Sequence, residues 1–111
     1  MRRKTFFSHL LDTDQLIMMV ERLLEIEEEK LEILDMIDST LHHRVIDKVL
    51  DELDDRHHEL FMTEYSRDPG NEELLYFLKK HIPDIEDKIQ LESKATQSSL
   101  FEDIKKLEAN N

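Results

Sequence analysis

One glycine and two prolines are spread through the 111 residues of this chain. That scarcity constrains the fold more than any other feature. Strands and the tight turns between them need glycine and proline at short intervals, because those residues reach the backbone conformations that reversals require. Long helices need the fewest reversals. The remaining sequence agrees with them: good helix formers dominate, and apolar residues recur at three- and four-residue steps instead of alternating. The expectation is an all-α fold, a compact bundle of four to six helices with one long amphipathic helix and a proline corner near Pro83.

The helices are read from their start and stop signals. Asp12 with Gln15 three residues later makes a capping box, and Leu11 with Leu16 a hydrophobic staple, so a helix starts there. The apolar stripe thins at "EIEEEK" (25–30), which is either an exposed turn of one long helix or a short break. Leu34, Ile37, Leu41, Val45, Val49 and Leu53 then mark the buried face of the long helix. Asp54 or Asp55 offers an N-cap for a third helix carrying Leu60, Phe61 and Tyr65. "SRDPGN" (66–71) is a loop, and Asn71 caps the helix after it, with Glu72 and Glu73 at its positive end.

"FLKKHIPDIEDKI" (77–89) ends one helix and begins another. Lys79, Lys80 and His81 suit the C-terminal carbonyls as solvated charges. Ile82, placed before a proline, bends out of the helix. Pro83 is then expected at the first position of the next helix, with Ile82, Ile85 and Ile89 against the core. The polar run "ESKATQSS" (92–99) is expected to loosen, and Ser99 with Glu102 to cap a last helical piece. Three parts result: a basic N-terminal arm (1–11), a helical domain (12–91) and a C-terminal helical extension (92–111) that can pack on the domain.

Charge narrows the function classes. The net charge is −12, divided as +3 over residues 1–11, −8 over 12–38 and −7 over the remainder. Such a field repels phosphate and argues against direct nucleic-acid binding, while it attracts a basic protein. No cysteine is present, which removes disulfides and thiolate chemistry and fits a cytoplasmic protein. The longest apolar run, Leu16 to Val20, has five residues, against the roughly 20 that a membrane-spanning helix needs. Glycine-rich phosphate loops, nucleophile elbows and calcium loops are absent from the sequence. An enzyme is not expected, and neither is a cofactor.

Two segments carry a resemblance. "RVIDKVLDELDD" (44–55), followed after a short acidic helix by "FLKKHIPDIEDKI", resembles a family of small acidic all-helical domains of unknown function found mainly in candidate-phyla bacteria. The likeness covers roughly residues 10–90. The chain departs from the family at "RLLEIEEEK" (22–30), where the family places a Leu-Gly-Leu turn and a proline. The resemblance implies an all-helical fold and brings with it no activity, cofactor or site residue.

Two site readings follow from the residues. The pairs His42-His43 and His57-His58 each have aspartates one helical turn away, the carboxylate–imidazole spacing that bundle metal sites use. The inward glutamates of such sites are missing, so these four are weak metal candidates beside a reading as exposed helical ion pairs. Phe61, Tyr65, Phe77 and Leu78 are the expected partner-binding residues, forming an apolar groove. The function expected is a non-catalytic helical protein–protein interaction module. One version self-associates as a homo-oligomer through Leu34, Ile37, Leu41 and Val45. The alternative is an acidic nucleic-acid mimic that inhibits a basic DNA- or RNA-binding protein. "RRKTFF" (2–7) is read as a basic-aromatic arm able to dock on a partner.

Overall fold

The computed structural model describes residues 4–109, with side-chain surroundings given as far as Lys106. Helix α1 (Asp14–Leu23) turns Leu16, Met19 and Val20 inward, the three- and four-residue steps of one helix face. The capping box before it does not form. Helix α1 starts at Asp14, so Gln15 falls at the second helical position, where a capping box needs the third. The Asp12 carboxylate instead accepts the Asp14 N–H at 3.3 Å.

The stretch 24–26 is a break. Leu24 and Ile26 are extended, and α2 (Glu27–Glu52) opens with Glu27, Glu28 and Glu29 at its positive end. Lys30 reaches back over the break to Glu21, Nζ to Oε2 3.3 Å. Helix α2 is the long amphipathic helix and buries Ile37, Leu41, His42, Val45, Ile46 and Val49.

Neither Asp54 nor Asp55 caps the third helix. A 3-10 turn (Asp55–His57) intervenes, and the Asp54 carboxylate pairs with Arg56 at 3.3 Å. Helix α3 (His58–Arg67) follows, then a loop and α4 (Glu73–His81). Glu72, not Asn71, stands at the N-cap of α4 and makes no side-chain cap bond; Asn71, one position earlier, still meets the helix start, its Oδ1 accepting the Glu73 N–H at 3.0 Å.

The proline corner is tighter than the sequence suggests. Ile82 is extended, as a residue before proline must be. Pro83 and Asp84 form a turn instead of the first helical positions, and Asp84 has φ 56°, in the left-handed region. Helix α5 (Ile85–Ala109) begins after that turn, with the Asp84 carbonyl accepting the Lys88 N–H at 3.0 Å. Lys79 is exposed, as a solvated charge at the helix end should be, and it also spans the corner to Glu86, Nζ to Oε1 2.9 Å.

The polar run 92–99 does not loosen, and Ser99 caps nothing, because α5 runs unbroken through both. Its buried stripe is Ile85, Ile89, Ser93, Thr96, Leu100 and Ile104. Ser93 and Thr96 hold the phase that Ile89 and Leu100 define on either side. The Ser93 hydroxyl is met by Gln97 one turn on, Nε2 to Oγ 3.0 Å, so its burial leaves no orphan polar group.

Helix α5 returns antiparallel along α2, and this pair is the spine of a body 48 × 23 × 20 Å in extent. Two cores form along it. One, at the α1 end, joins Leu16 and Val20 to Ile37, Leu41, Leu100 and Ile104. The other joins Val45, Val49 and Ile89 to Phe61 of α3 and Leu78 of α4. The N-terminal segment completes this second core. Phe6 and Phe7 are 3% and 0% exposed, and the Phe6 N–H donates to the Pro69 carbonyl at 2.8 Å. The aromatic half of the supposed arm is therefore core; residues 1–3 lie outside the described part. Ile37, Leu41 and Val45 are likewise buried within the chain, and Leu34 beside them is half-buried. No helix among the described residues is long and apolar enough to cross a membrane.

Candidate functional site

Helices α3 and α4 lie side by side, and a cleft of about 330 Å³ opens between them. Its floor is Phe61 and Leu74, both buried; its upper walls are Leu60, Tyr76 and Phe77. Phe61 is one corner of a triangle of rings: Tyr65 stacks on it and Phe6 meets both edge-on, all three centroid pairs being 6.0 Å apart. Ring pairs in such geometries add about 0.5–1.5 kcal/mol beyond their area burial.

Of the four expected groove residues, Phe61 and Leu78 are 1% and 0% exposed and belong to the core. Tyr65 and Phe77 are half-buried. The surface a partner can reach is made by Leu60, 55% exposed, and Tyr76, 58% exposed. Helical phase could have located Tyr76. Leu74 and Leu78 face inward, and a residue two steps from each points about 200° away from them. Glu64 and Glu73 stand on opposite walls of the cleft, with Lys80 at its margin.

The histidine pairs separate into four roles. His42 is buried, 3.6 Å from Asp38 through Nε2 and edge-on to Phe7. His43 is exposed and pairs with Asp47 at 3.3 Å. His57 lies against Phe77 and His81, its ring centroid 4.5 Å from that of His81. His58 Nε2 is 2.8 Å from the Leu53 carbonyl at the end of α2. No group of three or more histidine, aspartate or glutamate side chains among the described residues is arranged to hold a metal ion. The helical phase explains this, because adjacent residues on one helix point about 100° apart.

Comparison of the chain with protein-family models, with curated proteins and with solved structures finds no match. The cleft must be read from its own chemistry. Its apolar walls can take an aliphatic or aromatic side chain out of water, at about 25 cal/mol per Å² removed. Its glutamates can meet a flanking lysine or arginine.

Proposed function

We propose that the protein is a non-catalytic helical interaction module that binds a basic protein through the α3–α4 cleft. The observation that carries this reading is the pairing of Leu60 and Tyr76, each more than half exposed, over a floor of buried Phe61 and Leu74. Hot spots of protein interfaces are built of such anchors in preformed pockets, surrounded by contacts that exclude water. The occupant is an apolar segment with a basic flank. Glu64 is paired with Arg67 at 3.6 Å, so Glu73 is the acid of the cleft left for that flank among the described residues, and the net charge of −12 steers the approach. The absence of cysteine from the sequence supports a reducing, cytoplasmic setting.

The second reading, a nucleic-acid mimic, draws on exposed carboxylates at both ends of α2: Glu28, Glu32 and Asp35 near its start, Asp47 and Asp51 near its end. Ser39, His43 and Arg44 interrupt that row. Side-by-side capture with wild type and a Leu60→Ser/Tyr76→Ser double variant separates the readings. A partner retained at high salt by wild type and lost by the variant supports the cleft. A nucleic-acid-binding partner held equally by both and released by salt supports the mimic, since exposed charge contacts are screened. We also propose kinship with the small acidic helical domains resembled by 44–55 and 77–89.

A further inference from the structure

The α3–α4 cleft offers an occupant side chains but little backbone. Its walls are two helices, whose amide and carbonyl groups are used within each helix except at the ends. At its rim the Asn71 side-chain oxygen already accepts the Glu73 N–H at 3.0 Å. An extended segment docked here would lose water from its backbone and find no sheet edge to join. A helix satisfies its own backbone before it docks, and a groove between helices takes it by its apolar face. The walls fix its length. Helices α3 and α4 have 10 and 9 residues, about 14–15 Å each, so an occupant helix covers the cleft in about three turns.

The cleft also has a direction. Its two walls are antiparallel: the loop 68–72 joins the end of α3 to the start of α4, and His57, just before α3, packs on His81 at the end of α4. Glu73 stands in the first turn of α4 and Lys80 in its last, and both line the cleft. Both are exposed, and neither makes an ion pair among the described residues. Glu64, the other acid of the cleft, is held by Arg67. One end of the cleft is thus acidic and the other basic.

We propose that the cleft takes a short amphipathic helix of the basic partner, lying antiparallel to α4, with an acid of its first turn at Lys80 and a base of its last turn at Glu73. This rests on the reading of the cleft as the recognition surface and adds the form and direction of the occupant. The backbone dipoles of α3 and α4 oppose each other, so side-chain charge decides the direction. The charges are complementary at both ends. An acid in the first turn and a base in the last also stabilise the occupant helix itself. The reverse direction would meet Glu73 and Lys80 only with a base first and an acid last, which weakens a helix. The apolar anchors of the occupant, at i, i+4 and i+7, lie over Phe61 and Leu74 between Leu60 and Tyr76.

The probe is a synthetic peptide of about twelve residues, with a nitroxide acyl group at its N-terminus and an amide at its C-terminus, so that neither end is charged. It carries glutamates in its first turn, leucines at i, i+4 and i+7 on an alanine background, and lysines in its last turn. It is titrated into the full chain and followed by amide-shift NMR. The expected result is saturable binding with shifts at Leu60, Leu74 and Tyr76, and nitroxide broadening stronger at Leu78–His81 than at Asn71–Glu73. Exchanging the charges in a Glu73→Lys/Lys80→Glu variant should weaken binding about threefold or more. The nitroxide readout on wild type decides the direction even if that variant fails to fold. No saturable binding, or equal binding to the Leu60→Ser/Tyr76→Ser double variant, would overturn this proposal and the cleft reading together. Binding at the cleft with broadening centred on Asn71 and Glu73, with unchanged affinity for the charge-exchanged variant, or by a peptide whose own shifts are not helical, would overturn the proposal alone and leave the cleft reading standing.

Discussion

Lys88 of α5 lies 36 residues from Glu52 of α2, yet its Nζ is 3.0 Å from Glu52 Oε2. Lys48, one turn back on α2, approaches the other oxygen at 3.3 Å. The carboxylate is forked between an ammonium from its own helix and one from the helix antiparallel to it. This contact fixes the register of the two longest helices at the end of α2, just beyond the core around Val49 and Ile89.

The fork makes the acid limb of stability depend on Glu52. The Lys88 hydrogen bond, then that of Lys48, lowers the Glu52 pKa below its ordinary 4.5. Between the folded and unfolded values the unfolded chain binds more protons, so stability rises with pH there. The contribution is fully present above 4.5 and is lost as pH falls through the lower folded value. Glu52→Gln should thus be less stable than wild type at neutral pH, with a gap that closes in acid. Urea unfolding at a series of pH values checks this; a gap independent of pH would reject it.

Asp84 carries the strain of the proline corner. At φ 56° an L-residue costs roughly 1–2 kcal/mol, which aspartate tolerates better than most and glycine avoids. Asp84→Gly should be neutral or stabilising. Asp84→Ile should destabilise by about 1–2 kcal/mol or more, because β-branching adds to the clash. Pro83→Ala should lower stability modestly, by about 0.4–1 kcal/mol through the freer unfolded chain. Thermal melts of the three variants rank them, and an Asp84→Gly variant as damaged as Asp84→Ile would show that the side chain, not the backbone, matters.

The helical class, the turn at Pro69-Gly70 and the buried isoleucines of the corner were legible because each rests on local chemistry: scarce breakers, a proline-glycine pair, a proline that forces Ile82 out of helix; the loop expected over 66–71 begins later, because α3 runs on through Ser66 and Arg67. What was not legible depends on neighbours. Ser93 and Thr96 read as polar loop residues, yet they sit on the buried stripe of α5, in phase with Ile89 and Leu100, and Gln97 satisfies one of them. Phe6 and Phe7 read as an arm because the residues that enclose them, from α2, α3 and the Pro69 loop, are distant in sequence. Of the four residues expected to form a groove, Phe61 and Phe77 line the α3–α4 cleft and Tyr65 and Leu78 do not; Phe61 and Leu78 are buried and Tyr76 is exposed, a matter of helix phase that composition does not show.

His57 offers a test of polar burial. Its Nδ1 is buried and has no hydrogen-bond partner among the described residues, while its ring packs on Phe77 and His81. Leaving such an atom unpaired costs roughly 1–3 kcal/mol. His57→Phe keeps the ring packing and removes the orphan. It should raise the urea midpoint without changing the slope; a lowered midpoint would mean that the imidazole is satisfied in solution.

Phe7 ties the first residues to the second core. It is 0% exposed, edge-on to Phe6 at 5.1 Å and to His42 at 5.4 Å. Phe7→Ala should cost about 3–5 kcal/mol, a large share of the roughly 5–15 kcal/mol that holds a domain together. A detachable arm would show almost no loss. Unfolding curves of wild type and Phe7→Ala distinguish the two.

The α3–α4 cleft predicts opposite behaviour for adjacent residues. Leu60 is 55% exposed and Phe61 is 1% exposed, so one chain position separates surface from core. Leu60→Ser and Tyr76→Ser remove exposed apolar area and should change stability by no more than about 0.5 kcal/mol. Phe61→Ala should cost about 3–5 kcal/mol, because it leaves a cavity beside the Phe6 and Tyr65 rings that pack on it. If the cleft is the recognition surface, the two serine variants lose partner binding while their melting curves overlay that of wild type. A partner that survives both substitutions at unchanged affinity would place recognition elsewhere on the molecule.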